Sequence, residues 1–252
     1  MRFADFDAQM RVYENSLDQV IVPGMYIVAR LDGRGFTKLT KAKGFDKPFD
    51  DSFKDMMVAT VKGLMLSNSN IVYGYTESDE ISLLFRYNDN TFGRKVRKLN
   101  SLLAGQASAI FSSLLGSVAV FDCRIIPLPN KELVEDYFLW RQEDSYRNSL
   151  NGYCYWTLRQ GGKTKGIATS ELWGKGSAFK KELLLKYDID FDKVTPWHKT
   201  GIGLYFNEIT KKGYNPKEDK EVVVTRHALY EDATIPYGDD YRLFIRALVE
   251  KA

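Results

Sequence analysis

Four carboxylates set the first question. Glu77, Asp79 and Glu80 crowd into the polar turn of "IVYGYTESDEISLLF" (71–85), and Asp32 ends the apolar run of "GMYIVARLDGRGF" (24–36). Clustered carboxylates repel one another unless protons or cations neutralise them. They are either solvated turn residues or the ligands of a cation. Oxygen-only ligands favour Mg²⁺, which keeps some waters and takes further oxygens from a substrate phosphate. Two such ions about 3.5–4 Å apart activate the attacking oxygen and stabilise the leaving one in a displacement at phosphorus. Gly33 lets the chain turn and approach a ligand closely. Its carbonyl is a candidate metal ligand, and the amides of Arg34, Gly35 and Phe36 are candidates to face a phosphate. A plain turn after a strand is the competing reading of "DGRG".

Two basic segments are candidate phosphate contacts. Arg94, Lys95, Arg97 and Lys98 lie in "GRKVRK", at the start of a helical pattern. Cations there oppose the helix dipole, at about 0.3–1 kcal/mol each, unless an anion binds. A solvated helix end is the alternative. Residues 159–181 hold six basic residues, five glycines and Glu171 as the one acid. This reads as a flexible basic loop, and Lys163, Lys165 and Lys175 are its candidate RNA contacts. "GGKT" (161–164) is not a P-loop: Thr157 stands where that motif needs its first glycine, and a helical pattern precedes it.

The elements that must position these groups follow from periodicity. Residues 26–31 suit a buried strand. A helix begins near Asp50, after Pro48, with Asp50 or Asp51 as its cap. Strands are predicted near 71–75 and 80–86. A helix with Val96, Leu99, Leu103, Ala107, Ile110 and Leu114 on one face ends at Gly116. The segment "SVAVFDCRII" is a further strand. Asn130 caps a helix, a further helical stretch stops at Gly161-Gly162, another helix lies near 178–187, and short strands lie near 202–209 and 221–228. The order is βαββαβ, an α+β, ferredoxin-like polymerase-palm core with an antiparallel sheet and helices on one face. The first and third strands of that topology are neighbours, about 4.8 Å apart, which brings Asp32 and Asp79 to one sheet edge. We expect a single catalytic domain over 1–252, with the core at about 20–128 and a helical elaboration at about 129–252.

The bulk composition is compatible. The chain has 252 residues, 44% hydrophobic and 27% charged, with a formal net charge of +3. That balance supports a globular core and does not by itself imply a polyanion partner. No apolar run reaches the roughly 18–20 residues of a membrane span. The N-terminal stretch lacks an apolar signal core, which predicts a cytoplasmic protein. Cys123 and Cys154 read as isolated thiols, and His198 and His227 are too far apart in sequence to suggest a metal site.

The segments "RLDGRGFTKLT", "FDKPFDDSFKDMM", "YGYTESDEISLLF", "FDCRIIPLP" and "YFLWRQEDSYRNSL" occur in an order that resembles the tRNA-histidine guanylyltransferase superfamily. The resemblance covers roughly residues 20–156 and returns in "YDIDFDKVTPWHKTGIGLYF". It implies nucleotide addition in the 3′→5′ direction. The RNA 5′-phosphate is activated by a nucleoside triphosphate, ATP or GTP, and the 3′-hydroxyl of the incoming nucleotide then attacks it. By the same match, Asp32, Gly33 and Asp79 bind two Mg²⁺ ions, and Glu80 is a further catalytic acid. Lys47, Asp50, Ser78, Arg94, Lys98 and Asn148 align with positions that handle nucleotide or phosphate, and Arg34, Gly35, Phe36 and Thr37 are further candidates for the same role. The resemblance also implies tRNA as partner and a homotetramer.

The chain departs from the guanylyltransferase pattern at Tyr146, Thr37 and Cys123, where the family has histidine, histidine and glycine. These departures resemble the guanylyltransferase-like 3′–5′ polymerases of bacteria and archaea, and predict repair of 5′-truncated tRNA. Addition of one G to tRNA-His is the alternative. Two other classes stay open: a nucleotidyl cyclase, which needs no RNA, and a non-catalytic RNA-binding module, whose sheet presents stacking aromatics.

Overall fold

The computed structural model describes residues 2–68, 70–215 and 220–251. The chain runs α1 (Phe3–Glu14), β1 (Tyr26–Gly33), α2 (Phe36–Lys43), α3 (Asp51–Ser67), β2 (Ile71–Glu77), β3 (Glu80–Phe85), α4 (Val96–Leu115) and β4 (Phe121–Leu128). It continues with α5 (Lys131–Gln160), α6 (Lys165–Leu172), α7 (Ser177–Leu185), α8 (Pro196–Thr200), β5 (Ile202–Asn215), β6 (Lys220–Asp232) and α9 (Asp239–Glu250). The strands form one antiparallel sheet of order β4-β1-β3-β2-β5-β6. Its first four strands have the ferredoxin-like arrangement expected from the βαββαβ order.

Strand alternation divides the sheet between two cores. Ile27, Ala29 and Leu31 of β1, with Ile81, Leu83 and Phe85 of β3, pack against α3 and α4 through Met57, Val61, Leu64, Leu103 and Phe111. On the other face, Val28, Tyr73, Tyr75 and Leu84 meet Val134 and Phe138 of α5 and Tyr241 and Ile245 of α9. Tyr73 and Tyr75 are buried core residues, so they are not exposed stacking rings. Gly74 lets α3 sit close to the sheet: a Cβ there would lie 2.5 Å from Val61. Leu150, Cys154 and Leu158 of α5 form a third cluster with α6 and α7.

Three of the segments read from the sequence are built differently. Residues 131–160 form one continuous helix, capped by Asn130 and ended at Gly161, because nothing between them breaks it. The 159–181 stretch is not a flexible loop: Thr164 caps α6, and its glycines mark helix ends. The last two strands are longer than expected, pairing from Gly203–Asp232 out to Asn215–Lys220. No helix among the described residues is long and apolar enough to cross a membrane.

Candidate active site

The β1–β3 register places Asp32 opposite Glu80, and the β1–β4 register places Asp32 opposite Asp122. Glu77 in turn faces Glu80 across β2 and β3. Directly paired residues share a face, so four carboxylates form a row across one end of the sheet. Asp79 lies in the turn beside them, where the Gly33 amide donates to the Asp79 carbonyl at 3.0 Å. In extended backbone the carbonyl leaves on the same edge as its own amide, so the Gly33 oxygen faces the Asp79 turn. Gly33 admits no side chain, because a Cβ would lie 2.5 Å from the Phe36 ring.

The carboxylates separate into two groups by their partners. Glu80 accepts a two-pronged bond from Arg141 of α5, at 2.6 Å from Nε and 2.9 Å from Nη2. Arg141 also reaches Asp144 at 3.0 Å and Glu77 at 3.6 Å, and Arg30 stands 3.8 Å from Glu80. Burial, with Glu80 next to it, pushes the Glu77 carboxyl up to about 8. Glu80 is therefore an anchor for Arg141; it does not present a free carboxylate. By contrast, neither Asp32 nor Asp79 has an ion-pair partner among the described residues. Burial raises the Asp79 carboxyl, and the neighbouring Asp32 charge raises it further.

This donor set fits Mg²⁺. The described residues hold no ready-made cluster of three ligating side chains. Two carboxylates and a backbone carbonyl are the small protein share that Mg²⁺ commonly takes, with phosphates and waters completing six oxygens. The mutual repulsion of Asp32 and Asp79 is also what a cation between them relieves.

A cleft of about 910 Å³ opens beside Asp79. Its walls include Phe36, Thr37, Lys47, Asp50, Ser78, Asp79 and Asn148, all expected from the sequence. Ser78 has φ 48° and donates to Asp79 Oδ1 at 3.2 Å. Lys47 Nζ donates to Thr40 Oγ1 at 2.9 Å. Burial lowers the Lys47 ammonium, while Asp50 and Asp79 oppose that shift. Both Asp50 oxygens are engaged by the chain: Oδ1 caps α3 through the Phe53 amide and Oδ2 accepts from the Asp46 amide. Asn148 Nδ2 reaches Asp144 at 3.3 Å.

Several expected contacts lie elsewhere. Arg94 is buried and donates to the carbonyls of Ile21, Asp89, Val22 and Met25. Met25 precedes β1 and Asp32 lies near its far end, about 23 Å away at ~3.3 Å per residue. The α4 N-terminus with Lys98 lies at the Met25 end, where Val20 bridges Lys95 and where Lys95 and Arg97 pair with Asp18. The basic cluster thus ties down the N-terminal segment and is not part of the carboxylate site within this chain. The Arg34 amide is also committed, to Val120 at 2.8 Å. Lys163 pairs with Glu171 and Lys175 lies over the Phe179 ring, whereas Lys165 lines the cleft.

The sequence reading missed the α5 wall: Ser145, Ser149, Gly152, Tyr155, Trp156 and Arg159. Their spacing of three or four residues would have shown one helical face, had 131–160 been read as one helix. It also missed His198, whose ring stacks on Phe49 at 4.3 Å and whose Nδ1 is 2.5 Å from the Tyr153 hydroxyl. Burial pushes the His198 imidazole down to about 4. The folded value lies below the unfolded value near 6.5, so the unfolded chain binds the extra proton between them. Stability is then full above pH 6.5 and falls as pH drops toward 4. His198→Phe keeps the ring stack and removes this proton, so its melting temperature should fall less than the wild type's across that window. Parallel curves would remove the assignment.

With this geometry in place, comparison with known proteins identifies its relatives. Residues 7–129 match the family model described as tRNAHis guanylyltransferase, and residues 132–235 match the Thg1 C terminal domain. A probable tRNA(His) guanylyltransferase from Drosophila melanogaster is 30% identical over 220 residues, covering 83% of this chain and 76% of the relative. Two solved structures are of a bacterial tRNA(His) guanylyltransferase (Thg1)-like protein. The one in complex with ATP superposes with a TM-score of 0.75 at 26% identity, and the one with GTP with 0.71 at 25%. Each covers 97% of this chain and 99% of the bacterial protein.

Proposed function

This chain belongs to the tRNA(His) guanylyltransferase family, and from that premise we infer that it is a nucleotidyltransferase that extends the 5′ end of tRNA in the 3′→5′ direction. The observation that carries the reading is the pairing of two unneutralised aspartates, Asp32 and Asp79, beside a cleft large enough for a nucleoside triphosphate. Guanylate addition to tRNA-His is the leading form, because that is the activity named for the family and for the Drosophila relative. Templated repair of 5′-truncated tRNA is a second form. It is favoured by the departures at Tyr146, Thr37 and Cys123, and by the likeness to the bacterial guanylyltransferase-like structures.

Asp32, Asp79 and the Gly33 carbonyl would hold magnesium. The bound ions would supply charge neutralisation for an oxygen attacking phosphorus and for the oxygen leaving it. Lys47, close enough to Asp79 to feel its charge, draws the triphosphate to that end of the cleft. Ser78 and Asn148 offer hydrogen bonds along it. Arg141 neutralises Glu80 and stands 3.6 Å from Glu77, and so holds the turn that carries Asp79. In the first step the RNA 5′-phosphate oxygen attacks the α-phosphorus of a triphosphate and pyrophosphate leaves. In the second, the incoming 3′-hydroxyl loses its proton and attacks the activated 5′-phosphate, and the nucleoside monophosphate leaves.

Two substrates separate the forms. With Mg²⁺ and single triphosphates, full-length 5′-phosphorylated tRNA-His should gain one G. A 5′-truncated tRNA extended only by the complementary nucleotide, with tRNA-His untouched, would give the repair reading instead. A cyclic nucleotide formed without RNA, and extension of neither tRNA, would overturn both.

A further inference from the structure

A second pocket, a shallow depression of about 530 Å³ open to solvent, adjoins the cleft and is lined by Asp46, Lys47, Trp156, Arg159 and Gln160. Four of these five residues also line the cleft, and Gln160 lines the side cavity alone. The two spaces therefore share a wall built on Lys47. Trp156, Arg159 and Gln160 stand at spacings of three and four on the last turn of α5, so all three project from one helical side. The Trp156 ring is braced edge-on against Tyr155 at 5.3 Å and 87°. Arg159 Nη1 donates to the Lys163 carbonyl at 2.9 Å, which fixes the guanidinium at the rim. The Asp46 amide is held by Asp50, so the opposite lip is fixed as well.

We propose that this side cavity seats the 5′-terminal nucleotide of the RNA substrate, its base against Trp156 and its phosphate between Arg159 and Lys47. The inference rests on the reading of the main cleft as the triphosphate pocket. The chemistry requires two phosphate-bearing ligands to meet at Asp32 and Asp79, and the cavity gives the second ligand a place contiguous with the first. An indole face, a guanidinium and an amide are the groups that hold a nucleotide by stacking, by two-pronged phosphate bonding and by base-edge hydrogen bonds. Lys47 faces both spaces, so one ammonium serves the terminal phosphate and the triphosphate together. The Asp46 carboxylate repels phosphate and accepts from base amino groups, which turns the base toward that lip.

The test measures binding to the full chain of three probes: a short single-stranded RNA with a 5′-monophosphate, the same RNA with a 5′-hydroxyl, and a non-hydrolysable triphosphate. The wild type should prefer the 5′-phosphorylated RNA. Arg159→Gln should weaken that RNA about tenfold and remove the preference for the phosphate, whereas Gln160→Glu should weaken both RNAs about tenfold and keep the preference. Gln160→Glu should leave the triphosphate within about twofold. Trp156→Phe, with an unchanged circular dichroism spectrum, should lose the fluorescence quenching that the RNA causes. Equal loss of RNA and triphosphate in Gln160→Glu would assign the cavity to the triphosphate. RNA binding unchanged in all three variants, or no preference for the 5′-phosphate in the wild type, would also overturn the proposal. These readouts are equilibrium binding, so they stand or fall separately from whether any tRNA is extended.

Discussion

Asp79→Asn reduces nucleotide addition by about 10³-fold or more and leaves the fold intact. The loss corresponds to about 4 kcal/mol of transition-state stabilisation, since each 1.36 kcal/mol is tenfold in rate. Lewis-acid neutralisation of a phosphoryl oxygen is worth several kcal/mol, and half of the carboxylate pair that would hold the ion is gone in the variant. The stability side has the opposite sign. Burial and Asp32 raise the Asp79 carboxyl in the folded chain, so its ionised form opposes folding as pH rises through the folded value. Removing that charge should leave the melting temperature at pH 8 equal to the wild type's or above it. Asp32→Asn should behave alike. Single-turnover 5′-extension and thermal denaturation measure the two halves. Extension within tenfold of wild type in either variant would remove the pair from the chemistry.

Arg141→Met destabilises the protein by about 3–5 kcal/mol, the usual consequence of removing one side of a buried ion pair. Arg141 is 5% exposed and faces Glu80, Glu77 and Asp144. Its loss leaves Glu80 and Glu77 buried together without their principal cation. Arg141→Lys keeps the charge but not the two-pronged bond to Glu80, so it should recover part of the loss. Glu80→Gln in the Arg141→Met background should recover part as well, because one uncompensated charge has gone. Chemical denaturation of these variants, with Glu80→Gln alone completing the cycle, gives the coupling energy. A cost under about 1 kcal/mol for Arg141→Met would show that Glu77 and Glu80 are neutralised by other means.

The core of the site was legible because it depends on local pattern and one topological rule. The apolar run ending at Asp32, the turn at Asp79 and the βαββαβ order were enough to bring the two aspartates to one sheet edge. The basic cluster at 94–98 was misplaced because charge and helix position reveal a dipole and not which end of the sheet it occupies. Arg94 instead meets three carbonyls just before β1, those of Ile21, Val22 and Met25, contacts distant in sequence from it. The 159–181 stretch looked like loop because its glycines and lysines dominate the composition. Thr164 as cap and the buried Ala168 and Leu172 make a short helix there, through packing on α5 that no local period reveals. The tie between Glu80 and Arg141 was not legible, because Arg141 lies far along the chain on another element. The α5 wall was hidden by dividing one long helix in two.

Titration of Mn²⁺, as a spectroscopic substitute for Mg²⁺, in the presence of a non-hydrolysable triphosphate tests the central claim most directly. Two tightly held ions per chain are predicted for the wild type, with both lost when Asp32 and Asp79 are replaced together by alanine. Full ion occupancy in that double variant, with triphosphate still bound, would contradict it.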